Sequence, residues 1–118
     1  MRFGLIGYGA WGRHHAAALA EGEGTELVAI ACKGEKSRQE AKADHPGVEV
    51  TLDYRELVRR GDIEAVDIVL PTFLHTEAGI AALEAGKHIV VEKPFTLSAE
   101  EANEIIELGR QKDRMVSV

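Results

Sequence analysis

The stretch that most constrains this chain is Gly4-Leu5-Ile6-Gly7-Tyr8-Gly9-Ala10-Trp11-Gly12-Arg13. A short apolar run ends in glycines at positions 7, 9 and 12, and an alanine-rich segment with helical spacing follows. Glycines at this spacing, set between a strand and a helix, are what a dinucleotide-binding turn requires. Gly7 makes the tight turn, Gly9 lets backbone approach a pyrophosphate, and Gly12 lets the helix sit close on its strand. The free N–H groups of the first helical turn, from Ala10 and Trp11 onward, then point at the phosphates. The alternative is a structural turn that binds nothing, which would not need three glycines.

The rest of the chain repeats the same unit. Apolar runs at 2–6, 26–31, 48–52, 65–70, 88–92 and 115–118 read as strands, and 11–21, 36–44 and 75–85 read as helices. On the first helix, Gly12, Ala16, Leu19 and Ala20 share a face. Asp53 caps a short helix with Tyr54, Leu57 and Val58 turned inward. Gly86 stands where a left-handed helix end is wanted. Ser98-Ala-Glu-Glu101 is a capping box and starts a helix to about Gln111, which buries Ala102, Ile105, Ile106 and Gly109. Strands alternating with helices predict an α/β fold, a doubly wound parallel sheet of order 3-2-1-4-5-6 with helices on both faces. Ligand then binds at the C-terminal ends of strands 1 and 4. All 118 residues form one such domain.

Composition removes other classes. A net charge of -6 without a Lys/Arg cluster argues against nucleic acid. No apolar run approaches the roughly 20 residues of a membrane helix. The first strand begins at once, so no signal peptide is expected. The single cysteine, Cys32, suits a reducing cytoplasm, and one cysteine among scattered histidines makes no metal site.

Three further stretches fall at the predicted ligand edge. An NAD site usually places an acid at the end of strand 2, on the ribose 2′-hydroxyl. Here the strand ends Ala31-Cys32-Lys33-Gly34, with Ser37 and Arg38 one turn into the next segment. Cations and hydroxyl donors suit a 2′-phosphate, so NADP(H) is favoured, with NAD(H) open because Glu35 could serve as the acid. Cys32 is a small filler near the adenosine. Leu70-Pro71-Thr72-Phe73-Leu74-His75 follows strand 4, and Glu92-Lys93-Pro94-Phe95 follows strand 5. A lysine at that edge can donate to a substrate oxygen or the cofactor ribose, and Glu92 can hold its charge. A cis Lys93–Pro94 bond is compatible with this turn. Of the five histidines, only His75 follows a strand at this edge, where it either meets cofactor or packs; His15 reads as exposed or at a domain edge.

The chain resembles the N-terminal half of the Gfo/Idh/MocA oxidoreductase family. The matching stretches are Gly7-Tyr8-Gly9-Ala10-Trp11-Gly12, Ala65 to His75, Ala82-Leu-Glu-Ala-Gly-Lys-His88, and Val91-Glu-Lys-Pro94. The resemblance implies an NAD(P)-binding Rossmann domain and hydride transfer at a hydroxyl-bearing carbon, commonly of a sugar or polyol. It also implies that Lys93 lies beside nicotinamide and substrate as part of the catalytic group. Thr72 stands where the family often has Asn. The family also has a second, mainly β-sheet domain carrying the substrate pocket, the subunit interface and usually a catalytic histidine. That domain is absent from residues 1–118.

The expected protein is therefore the cofactor-binding domain of an NAD(P)-dependent oxidoreductase, cytoplasmic and homo-oligomeric, acting on a small molecule. The 118 residues alone are expected to bind cofactor with little turnover. The competing reading is a stand-alone NAD(P)-binding or redox-sensing module without catalysis. Another Rossmann ligand, such as S-adenosylmethionine or coenzyme A, fits the Glu92-Lys93-Pro94 stretch less well.

Overall fold

The computed structural model describes residues 1–118. The chain runs β1 (Arg2–Ile6), α1 (Ala10–Glu21), β2 (Glu26–Ala31), α2 (Glu35–Asp44), β3 (Glu49–Thr51), α3 (Tyr54–Val58) and β4 (Ala65–Ile68). A single 3₁₀ turn, Thr72–Leu74, leads into α4 (His75–Glu84), and β5 (His88–Val91), α5 (Ala99–Lys112) and β6 (Val116–Ser117) complete it. The six strands form one parallel sheet in the order β3-β2-β1-β4-β5-β6, as the alternating pattern predicts.

Alternation along the strands divides the core in two. Leu5 and Ile30 face one side, with Ala16 of α1 and Ala41 of α2. Ile6, Ala29 and Ala31 face the other, with Leu57 of α3, Ala78, Ala82 and Leu83 of α4, and Ile105 of α5. All four residues of β4 are buried, as a central parallel strand covered on both faces should be.

The helix ends follow local chemistry. Asp53 accepts from the Arg55 N–H at 2.9 Å, and Ser98 Oγ accepts from the Glu101 N–H at 3.2 Å. Gly86 takes φ +81° and closes α4, with Gly86 N–H donating to Leu83 O and Lys87 N–H to Ala82 O. Two side chains depart from the sequence expectation. Ala20 and Ile106 are exposed, because each lies one step around its helix from the buried line. On α5 that line is Ile105 and Gly109, flanked by half-buried Ala102 and Leu108. Phe95 packs against the core.

Candidate functional site

Parallel strands put all their carboxyl ends on one edge, and every predicted site residue lies on the connections that leave it. The first is the turn from β1 to α1. Gly7 has φ +106°, and a Cβ there would lie 2.0 Å from Val69 O. A Cβ on Gly12 would lie 2.2 Å from Gly7 O. Both positions are closed to any side chain. Gly9 differs, since a Cβ there would meet nothing within 4 Å, so the backbone is bare on its outer side. No side chain caps α1, and no acid stands in its first turn. The N–H groups at that end, around Ala10, Trp11 and Gly12, are free to meet an anion.

On one side of this turn is a cavity of about 340 Å³, where Gly7, Cys32, Lys33 and Leu70 come together with Tyr54 and Arg55. Cys32 is buried, and burial pushes its thiol pKa up, with Arg38 opposing and Glu35 adding. It is a packing residue, as expected. Lys33 is exposed. Ser37 and Arg38 lie in the first turn of α2, where the Arg38 guanidinium is 3.3 Å from Glu35. Sequence reading missed the rim formed by α3. Arg55 pairs with Glu77 at 2.7 Å, and the Tyr54 hydroxyl donates to the same carboxylate at 3.1 Å. The Asp53 cap located α3 in the sequence, but not its position across from β2.

The loop after β4 carries half-buried Leu70, exposed Pro71 and half-buried Thr72. For His75, read as either meeting cofactor or packing, the structure corrects the cofactor alternative: the ring packs inside. It is 1 % exposed, with Nδ1 2.9 Å from Phe95 O and Nε2 2.7 Å from Leu70 O. Both ring nitrogens are taken by carbonyls, so it ties the loop after β4 to the loop after β5.

On the other side of α1 a groove of about 520 Å³ gathers Trp11, His14, His15, Asp67, Glu92 and Lys93. Lys93 is exposed, and the Lys93–Pro94 bond is cis. His15 lies in the middle of the cluster, with Nδ1 2.7 Å from Asp67 Oδ2 and Nε2 2.9 Å from Glu92 Oε2. Burial opposes charge on His15, but hydrogen bonds and charges of Asp67 and Glu92 outweigh it, and the pKa is raised above 6.5. Burial raises the Asp67 carboxyl above its ordinary range, His15 pulls it back, and Glu92 pushes it up further. Asp67 was not singled out from sequence, and His15 was read only as exposed or at a domain edge. His15 is half-buried and lines this open groove.

Matched against protein-family models, residues 1–118 fit that described as an oxidoreductase family with an NAD-binding Rossmann fold, GFO_IDH_MocA. The chain belongs to the Gfo/Idh/MocA family. Among its relatives, the uncharacterized oxidoreductase YdgJ of Escherichia coli K12 is 40% identical over all of this chain and 34% of its own length. The NADP(+) scyllo-inositol 2-dehydrogenase IolW of Bacillus subtilis is 32% identical over all of this chain and 32% of its own length. The crystal structure of biliverdin reductase from Synechocystis, in complex with biliverdin and NADP+, superposes with a TM-score of 0.92. It is 27% identical over 99% of this chain and 37% of that one. The chain spans about a third of the length of the curated relatives it matches.

As a Gfo/Idh/MocA chain this is an NAD(P)-binding Rossmann domain, and its residues fit a dinucleotide. The bare backbone at Gly9 and the uncapped, acid-free start of α1 suit a diphosphate. The end of β2 offers no carboxylate at Cys32 or Lys33.

Proposed function

We propose that this domain holds the cofactor of an oxidoreductase that moves a hydride to or from a hydroxyl-bearing carbon of a sugar, polyol or related small molecule. One observation carries the reading: the glycine turn and the Glu92-Lys93-Pro94 turn leave the same edge of the sheet, on strands two places apart. When bound, a nicotinamide cofactor supplies the hydride acceptor or donor. Gly7, Gly9 and the first turn of α1 hold its diphosphate. Lys93, exposed at the groove mouth, is the catalytic residue of this domain and donates from Nζ to the substrate oxygen. Glu92 precedes it in the turn, with its carboxylate 2.9 Å from His15 Nε2. The relatives' greater length supports a second domain in the full-length enzyme, which would supply the substrate pocket and the partner for Lys93. Residues 1–118 alone would then bind cofactor and turn over little.

We further propose NADP(H) as the preferred cofactor. Lys33 stands free where a 2′-phosphate would approach, Ser37 offers a hydroxyl, and the phosphate would compete with Glu35 for Arg38. The polyol dehydrogenase relative that uses NADP supports both parts of this reading. Calorimetry with NADPH and NADH tests it. Tighter NADPH binding is expected, and Lys33→Glu should lower NADPH affinity by about tenfold or more while sparing NADH. Tighter NADH binding by the unaltered chain would overturn the preference, and failure to bind either would overturn the function.

A further inference from the structure

We propose that His15 is the positioning residue of this site, holding the Glu92–Lys93 turn in place by presenting one ring N–H to Asp67 and the other to Glu92. The inference rests on the reading that Lys93 serves the cofactor edge. Strand register sets the geometry. Asp67 of β4 pairs with Val90 of β5, and Glu92 lies two residues beyond Val90, so both carboxylates emerge on the face that α1 covers. His15, on α1, spans them at 2.7 and 2.9 Å. Ionised carboxylates only accept hydrogen bonds, so meeting both at once requires both ring nitrogens to carry protons. The bridge is therefore an imidazolium between two carboxylates.

Asp67 is the fixed end of this bridge. It is 4 % exposed on a central strand, and its Oδ1 has no hydrogen-bond partner. Such a carboxylate is held rigidly and costs free energy unless a cation faces it. Glu92 is the movable end, just past the last residue of β5, with 29% of its side chain exposed. Without His15, nothing on the α1 face would tie the Glu92 carboxylate, and Lys93 follows it directly. The backbone at Glu92 is tied by its N–H to Ile68 O at 2.9 Å, and His75 grips Phe95 from the opposite side. Two histidines from different helices thus hold the two ends of the segment that carries Lys93. The charged groups facing His15 are Asp67 from β4 and Glu92 and Lys93 from the end of β5, with His14 beside it on α1.

A raised pKa on a histidine gives a definite pH dependence. The bridge contributes fully below the unfolded value of 6.5, and its contribution is lost as pH rises through the higher folded value. Above that point the ring keeps one N–H, and one carboxylate is released.

NMR of the 118-residue chain tests this with and without ligand. The His15 side-chain nitrogens should both be protonated at pH 6.5, with a titration midpoint above 6.5 that falls in Asp67→Asn. In His15→Phe, which keeps a ring but no N–H, backbone order at Glu92 and Lys93 should drop while Ile89–Val91 stay unchanged. Affinity for NADPH should fall about tenfold while that for 2′,5′-ADP, which lacks the nicotinamide, is unaltered. A packing role alone predicts that Phe preserves order and both affinities, and that result overturns the proposal, as does a His15 midpoint at or below 6.5. If His15→Phe does not fold, Glu92→Gln supplies the same order and affinity readouts. If the unaltered chain binds no dinucleotide, the functional reading fails, and the midpoint and order measurements still decide the role of His15.

Discussion

Lys87 shows how a residue inside a family-like motif can be structural. It opens the run into β5, where Nζ donates to Arg60 O at 2.6 Å and to Ile63 O at 2.8 Å. Burial lowers its pKa, and Asp62 partly restores it. The two carbonyls belong to the loop between α3 and β4 and would otherwise lack donors. Replacing Lys87 with Met keeps the apolar stem and removes both hydrogen bonds. Urea unfolding should show a loss of about 1–3 kcal/mol. Cofactor affinity should not change, because Lys87 lies at the opposite end of β5 from Lys93. His75 shows the reverse hazard of reading single residues. Its sequence position placed it at the ligand edge, yet its ring is buried between the carbonyls of Leu70 and Phe95.

At the scale of elements, the ends were set by side chains close in sequence and were therefore readable. Ser98 accepts from the Glu101 N–H, and Asp53 from that of Arg55, and each starts its helix where the residue types said it would. Ser98→Ala should cost about 1 kcal/mol, measured as a lower urea midpoint with an unchanged slope. Strand limits were less readable: β4 stops at Ile68 and β3 spans only Glu49–Thr51. Apolar residues such as Val69 and Leu70 look alike whether they pair in a ladder or pack in a loop. The glycine turn and the Glu92-Lys93-Pro94 turn were legible because each is a contiguous motif. The His15 bridge was not, because its members are far apart in sequence and Asp67 interrupts an apolar strand with no local reason. Only the sheet order brings them together.

The whole molecule is unevenly clothed. Two helices cover one face of the sheet and three cover the other, and α1 shields β4 and β5 only in part. Trp11, Phe73, Leu97 and Met115 are each more than 60 % exposed, Trp11 at 68% and Met115 at 63%. Exposed apolar side chains of this size tend to find partners. Sedimentation equilibrium should detect weak self-association that Phe73→Glu and Met115→Glu reduce, and a strictly monomeric profile at high concentration would count against it. The outer strands are short, three residues in β3 and two in β6, so the sheet's own edges offer little for further strands to pair with.

The pairing of Asp67 with Val90 has a further consequence. Shifting β5 by one residue against β4 would turn Glu92 to the far face, leaving His15 with one carboxylate instead of two. The doubly protonated ring is thus a built-in reporter on strand alignment. A refolding experiment that watches the His15 nitrogens would distinguish chains whose sheet has merely collapsed from chains whose strands have locked into step.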